Sequence, residues 1–397
     1  MTSIRLTSDG YSFHTMELKT HLSKKDYNRA VVTLYQAARN SKDGRCRTYP
    51  LSKYQKQNMS HCSTVLSSHG ILLYLTKTKK NHNNPYTIKA VVNPRKVLDP
   101  ECDFLGIMPS DKDSLELFQD KFTLIMRKYH LPEFLDNWTL TRIDLCVNLQ
   151  FNKKKSAREL CRLLQKDLLP PKMKQVLFSV QDTKPEKLKS QIEQNAQRNA
   201  HSVCLKNNSY AVVVYDKLFQ VQSEKLADHS TWENLPSGVL RLELRCYKPY
   251  LKKHLDKKLF PLTSSQIHYL TENSRKLLVR QIKKAFSIGT HYKPDTAKGI
   301  IRSSSYQKHT QEQLCALFDR MRHPFDLHQL ERWMENRFDL NPRTVAKRLE
   351  QLHALGINRV PLRKDFYLDQ LVSLPQMIEY LEDDSVTLKL TTDGSVI

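Results

Sequence analysis

Three stretches, far apart in the chain, hold the residue types that phosphodiester chemistry needs. Thr141-Arg142-Ile143-Asp144-Leu145-Cys146-Val147-Asn148 carries an acid, an amide and an arginine. Tyr210-Ala211-Val212-Val213-Val214-Tyr215-Asp216-Lys217 delivers a tyrosine and a lysine at the end of a β-branched run. Val239-Leu240-Arg241-Leu242-Glu243-Leu244-Arg245 carries a second acid between two arginines. Side chains alternate between the two faces of a strand. One face of a sheet built from these segments therefore takes Ile143, Leu145, Val147, Leu240, Leu242 and Leu244. The other takes Arg142, Asp144, Asn148, Tyr215, Lys217, Arg241, Glu243 and Arg245, a face expected to be open to solvent.

Two carboxylates could hold Mg²⁺ or Mn²⁺ through oxygen ligands. Such a cation polarises a phosphodiester and neutralises charge on the phosphorus. Tyr215 would then be the nucleophile, forming a phosphotyrosine. Free tyrosine, with a pKa near 10, is a weak nucleophile at neutral pH, so Lys217 or the cation must favour the phenolate. Arg142, Arg241 and Arg245 could clamp the flanking phosphates. The same residues also fit cross-strand ion pairs and an edge aromatic with no chemistry at all.

Composition narrows the partner. The chain has 397 residues, with 64 Lys+Arg against 41 Asp+Glu, a net charge of +23. That imbalance points to a polyanion, nucleic acid before an anionic membrane surface. No apolar run approaches the ~20 residues of a transmembrane helix, and residues 1–20 lack the apolar stretch of a signal peptide. The eight cysteines are scattered without a CxxC pair, which fits buried thiols in a reducing compartment, hence a cytoplasmic protein. His61-Cys62 with His69 is a poor match to zinc-site spacings.

The elements that must position these residues are also legible. Tyr11 to Leu22 alternates loosely, as a strand or two would. Ser23 and Asp26 open a helix carrying Tyr27, Ala30, Val31 and Leu34 at helical spacing. Residues 40–70 are polar and irregular. Ile71–Thr76 and Tyr86–Asn93 read as strands joined by a loop with Lys77, Lys79 and Lys80, suited to phosphate contact. Ser110–His130 carries the apolar stripe Leu115, Phe118, Phe122 and Met126. A helix from Ser156 to Leu168 opens on a Ser156/Glu159 capping box and ends at Pro170-Pro171. Residues 182–200 are almost wholly polar, an exposed helix or an insertion.

The fold class expected is α+β: a mostly antiparallel sheet with helices on one face, over residues 1–255, then a helical region over 256–397. In that second region Gln266–Phe286 is a long basic helical segment. Residues 326–356 form a helix pair with Asn341 as N-cap, Pro342 in the first turn and Gly356 at the stop. The pair suits a helix-turn-helix or winged-helix unit reading DNA through Arg343, Lys347 and Arg348. A plain helical hairpin suits it equally.

In order and spacing, four motifs between about residues 86 and 250 resemble the Rep_trans class of plasmid rolling-circle replication initiators, and more loosely the filamentous-phage replication proteins. They are Val92-Asn93-Pro94, Thr141-Arg142-Ile143-Asp144, Val214-Tyr215-Asp216-Lys217 and Arg241-Leu242-Glu243. The resemblance implies a replication-initiator palm in which Tyr215 nicks one strand of double-stranded origin DNA. Asp144 and Glu243 would hold Mg²⁺ or Mn²⁺. A 5′-phosphotyrosine and a priming 3′-hydroxyl would result, with later transfer of single-stranded DNA. It implies a homodimer and a recruited helicase. Asn148 stands where several relatives have a second acid, so either it ligates the metal through its amide oxygen or the site holds the metal with fewer charges; Tyr210 and Val213 stand where relatives often have arginines. No two histidines stand two apart, so the His-hydrophobic-His motif of the other large class of nicking enzymes is absent. Other classes also fit the chain: a non-catalytic origin- or operator-binding protein, and an RNA-binding protein using an open sheet face.

Overall fold

The structure is a computed structural model that describes the chain except residues 1, 8, 51–57, 79–84, 104, 177–200, 224–237, 257, 322–326, 383–384 and 391–397. Lys79, Lys80 and the polar stretch 182–200 thus lie outside the described residues.

Everything is arranged about one long strand. In chain order the strands are β1 (Thr2–Leu6), β2 (Ser12–His21), β3 (Thr48–Pro50), β4 (Asn58–Ser63), β5 (Ile71–Thr78), β6 (Tyr86–Val92), β7 (Thr139–Phe151), β8 (Lys174–Gln175), β9 (Ser202–Lys206), β10 (Tyr210–Asp216), β11 (Gly238–Tyr247), β12 (His291–Tyr292), β13 (Gln370–Leu371) and β14 (Thr387–Leu390). Twelve of them form one sheet, ordered β3-β4-β5-β6-β2-β7-β11-β10-β9-β8, with β1 between β7 and β14. Every pairing in it is antiparallel. The 13-residue β7 is long enough to hold β2 along its first part and β1 along its last. Its other side is paired throughout with β11.

The α+β reading therefore holds, with the three chemistry-bearing segments adjacent as β7-β11-β10. Their apolar faces are buried, including Ile143, Leu145, Val147, Leu240, Leu242, Leu244, Val212 and Val214. The helices packed on that sheet include α1 (Lys24–Asn40), α2 (Pro94–Leu98), α4 (Lys154–Gln165), α5 (Lys217–Ser223), α6 (Lys248–His254), α7 (Thr263–Glu272) and α8 (Ser274–Ala285), with α3 (Lys112–Lys128) packed on α2 and α7. In α3 the expected stripe is the buried one: Leu115, Phe118, Phe122 and Met126. Each such burial contributes roughly 1.5–3 kcal/mol. The stripe therefore outweighs the Asp111 cap, worth about 1 kcal/mol, in holding the helix.

Four local expectations are corrected. The helix expected from Ser156 starts at Lys154 with Lys153 as N-cap. Ser156 and Glu159 are buried within it, Ser156 Oγ bonding Tyr367 and Glu159 pairing with Arg363; tertiary contacts claim the side chains that a cap would use. The segment 266–286 is broken at Asn273 into α7 and α8. Residues 40–70, read as irregular, supply the edge strands β3 and β4. The helix pair begins at Leu327, Asp326 being outside the described residues.

The helices after α8 are α9 (Pro294–Arg302), α10 (Lys308–Arg320), α11 (Leu327–Phe338), α12 (Pro342–Ala354) and α13 (Leu374–Tyr380). The large core runs through the sheet and also takes in Leu270, Leu278, Ile282, Leu374, Met377 and Leu390. A second core lies within α9–α12, around Ile301, Leu317, Phe318, Met334, Val345 and Leu352. The Asn341 side chain caps α12 by accepting from Thr344 N at 2.9 Å, Pro342 follows, and Gly356 stops the helix at φ 71°, a left-handed value that suits glycine. Among the described residues no helix is long and apolar enough to cross a membrane.

Candidate metal and phosphodiester site

The register places the polar residues in rows across the strands. One row is Tyr215–Arg241–Asn148, the next Val213–Glu243–Cys146–Ser12, the next Ala211–Arg245–Asp144–Thr15. Tyr215 and Glu243 are diagonal neighbours on one face, within reach for an aromatic side chain. The Tyr215 hydroxyl donates to Glu243 Oε1 at 2.5 Å. The strand delivering Tyr215 ends at the right place because the Asp216 carboxylate accepts from Phe219 N at 3.1 Å and so turns the chain into α5.

Arginines bind the two acids. Arg245 donates to Glu243 Oε2 through Nε at 3.0 Å and Nη2 at 2.8 Å. Arg142 forms a bidentate pair with Asp144, at 2.7 and 2.5 Å, and reaches Glu17 Oε1 at 3.2 Å. Asp144 and Glu243 are both 0% exposed, so the face is not the open one the sequence suggested. The segment carrying Leu105 covers the Asn148 end: its carbonyl accepts from Asn148 Nδ2 and Arg241 Nη2. Access is left at the opposite end, where the Arg142 and Arg245 side chains are each 22% exposed.

A third metal-type ligand was missed in the sequence. His14 joins Asp144 and Glu243, with one ligand atom from each lying within 4.8 Å of the others. His14 gets there through a β-bulge. The β2–β7 register slips between Phe13 and Thr15, so β2 gains a residue opposite Leu145–Asp144; such bulges re-aim side chains. The signal was present. The core residues of β2 are Phe13, Met16 and Leu18, and a spacing of three within a two-residue alternation marks one inserted residue.

Burial sets the protonation states. It lowers the His14 imidazole to about 3, so the ring is neutral at pH 7 and can offer a lone pair. Nδ1 is buried, makes no hydrogen bond and lies 3.7 Å from Glu243 Oε1. Nε2 is 3.3 Å from the Thr15 hydroxyl, a contact that orients a ligating imidazole. Burial raises the Asp144 carboxyl to about 6, against the pull of Arg142. Burial alone would also raise Glu243. The His14 charge, present once the ring is protonated in acid, then Arg245, the Tyr215 hydroxyl and Arg241 hold it well below the usual carboxylate range. The Tyr215 phenol is pushed well above 10, by burial first and by the Glu243 charge next. Its proton therefore stays on oxygen until positive charge arrives.

The donor set fits a divalent cation. A neutral imidazole whose Nδ1 makes no hydrogen bond faces two acids, each already held by an arginine. Asn148, expected as a ligand, is instead bound through Oδ1 by Arg241 Nε at 2.8 Å; His14 stands where a third donor is needed. Arg241 is 1% exposed and held by Asn148 and the Leu105 carbonyl, which corrects its assignment to DNA. Of the arginines on this face, Arg142 and Arg245 are the partly exposed ones among the described residues. Lys217 is buried, its Nζ 2.9 Å from Gln220 Oε1 and 5.9 Å from the Tyr215 ring centroid. On α12, Arg343 and Lys347 are exposed. Arg348 is buried and bonds Gln313 and Gln351, because its position on α12 faces the second core, so it too is corrected.

His14→Ala should weaken Mn²⁺ binding by ~10-fold or more, the scale of a disturbed ligand shell, as read by titration calorimetry. In the parent chain, affinity should fall as pH drops through about 6, where Asp144 takes up a proton that competes with the cation.

No family model matches the chain, and no curated protein or solved structure matches it.

Proposed function

We propose that the chain is a metal-dependent DNA strand transferase that cuts one strand of origin DNA through Tyr215 and initiates rolling-circle replication. The observation that carries this reading is the 2.5 Å hydrogen bond from the Tyr215 hydroxyl to Glu243, itself part of the His14–Asp144–Glu243 cluster. A nucleophile and a cation site thus share one carboxylate. When bound there, a divalent cation would polarise the phosphodiester and lower the cost of the phenolate. An imidazole beside two carboxylates suits Mn²⁺ better than Mg²⁺, which prefers oxygen ligands throughout.

The chain's own residues then divide the work. Arg142 and Arg245, at the accessible end, hold the phosphate whose ester is cut. The proton of Tyr215 passes along its hydrogen bond to Glu243. The Tyr215 oxygen bonds to phosphorus, the P–O3′ bond breaks, and the departing oxygen takes that proton to become a 3′-hydroxyl, which returns Glu243 to its anionic form. Asp144 stays anionic throughout and keeps Arg142 in place. The palm-like sheet, the homodimer and the recruited helicase are proposed with this reading, on the resemblance. The unit α9–α12 is proposed as a helix-turn-helix or winged-helix reader of double-stranded DNA through Arg343 and Lys347.

One observation favours a second reading, a DNA-binding protein without catalysis: both acids are fully buried and each is already paired with arginine. The deciding experiment incubates the chain with supercoiled origin DNA and Mn²⁺ and looks for a denaturation-resistant protein–DNA adduct. An adduct supports the transferase, and binding without one supports the second reading. For α12, Arg343→Ala with Lys347→Ala should weaken origin binding and flatten its salt slope by ~2, about 0.9 for each phosphate no longer neutralised. An unchanged slope removes the reading role.

A further inference from the structure

A row of side chains runs from β8, the outermost strand on this side among the described residues, to Asp144. Lys174 on β8 lies directly opposite Lys206 on β9. Lys206 lies opposite Ala211, Ala211 opposite Arg245, and Arg245 opposite Asp144. Directly opposed residues share a face, so this row lies on the Tyr215–Glu243 side of the sheet. At about 4.8 Å per strand the four steps span about 19 Å.

Three features of the row point outward to an anion. Lys174 and Lys206 are both exposed, and like charges directly opposite each other are destabilising unless something negative sits between them. The second feature is that the next position, Ala211, is buried with Cys204, Val213 and Tyr215 in a cluster against which Tyr247 packs, so the surface route from Lys206 runs over Tyr247. The third feature is Tyr247, half-buried on the same face, with Lys206 Nζ 5.2 Å from its ring centroid. Tyr247 is paired with Arg142. An aromatic platform beside a cationic track is the combination that holds single-stranded nucleic acid, phosphates on the cations and a base on the ring. The track also leads to the one end of the cluster that the Leu105 segment leaves accessible.

The geometry points to this row as the path of single-stranded DNA into the candidate site, with Lys174 and Lys206 on the phosphates and Tyr247 stacking a base beside the cut. This rests on the proposed transferase reading and adds the binding track it requires. Tyr247 is here a positioning residue, not a second nucleophile. Lys248, exposed at the end of β11, extends the positive rim.

The test uses the full chain, without added metal, and a fluorescently labelled oligothymidylate of about 12 nucleotides, within the range of such sites. Lys174→Ala with Lys206→Ala should weaken binding about tenfold and lower the salt slope by ~1.4, about 0.7 per phosphate on a single strand. Tyr247→Leu should weaken binding about tenfold, whereas Tyr247→Phe, which keeps the ring, should bind as the parent does. Unchanged affinity and slope in the lysine variant, or equal loss in Tyr247→Leu and Tyr247→Phe, overturns the path. So does tighter binding of an oligouridylate RNA of the same length. Failure here is separable from failure of the transferase. An adduct on origin DNA with unaltered oligonucleotide binding removes only the path. Altered oligonucleotide binding with no adduct removes only the chemistry.

Discussion

Tyr215→Phe should abolish the covalent protein–DNA adduct while leaving origin binding intact. Loss of a nucleophile costs on the order of 10³–10⁶ in rate, far more than any change in local packing. The measurement is adduct yield on supercoiled origin DNA with Mn²⁺, beside a gel-shift of the same variant. The hydroxyl also has a structural part: it is the 2.5 Å donor to the buried Glu243 Oε1. Removing a hydrogen bond to a charged group costs about 1.5–3 kcal/mol, so the variant should melt earlier yet still fold. Tyr247→Phe and Tyr250→Phe are the controls. Tyr250 is buried and its hydroxyl accepts from Arg280 and Gln281, so its loss should leave the adduct unchanged. If Tyr247→Phe alone removes the adduct, the nucleophile has been misassigned. If Tyr215→Phe forms it normally, the transferase reading fails.

Glu243→Ala should have the largest effect on stability. The substitution removes both Arg245 hydrogen bonds to Glu243 Oε2 and strips the acceptor from Tyr215. Breaking a buried pair from one side costs about 3–5 kcal/mol, enough to bring a marginally stable chain close to unfolding. Asp144→Asn should behave differently. Burial raises Asp144 to about 6, above the ~3.9 of an unfolded aspartate. The folded state therefore binds more protons between those values, and stability falls as pH rises through that window. An amide at this position removes that penalty, so without metal Asp144→Asn should lose far less stability at pH 7 than Glu243→Ala. Glu243, held low, has the opposite sign: its contribution is present above the unfolded value and is lost as pH falls through its folded one. Urea titrations of both variants at pH 5 and pH 7 read the difference. Equal losses at both pH values would show that the two carboxylates sit in equivalent environments.

On the proposed reading the cluster would be both structural and reactive. Its arginines make the two acids tolerable inside the sheet. The same burial keeps the phenol protonated, so reactivity is withheld until positive charge enters. A site of this kind is expected to be silent without metal and steeply metal-dependent.

Whatever depends on local period and cap chemistry could be read from the residues alone. Two-residue alternation assigned the faces of β7, β10 and β11 correctly, so Asp144, Tyr215 and Glu243 could be put on one side before any coordinates. The stripe of α3, the Ser23 cap of α1 and the Asn341–Pro342 start of α12 were legible for the same reason: each is written within a few residues.

The rest waited for the assembled fold, because it depends on which residues meet from distant segments. The His14 bulge shifts one strand against another, and its consequence appears only when β2 lies beside β7. Asn148 and Arg241 look like ligand and phosphate clamp in isolation, but a register that sets them opposite each other under the Leu105 carbonyl pairs them. Arg348 looked like a DNA contact until the fold of α9–α12 turned it inward. Burial of both carboxylates, and with it the raised Asp144 and Tyr215 and the lowered His14, comes from segments that cover the face. Desolvation is a property of the assembled neighbourhood, and no window of sequence contains it.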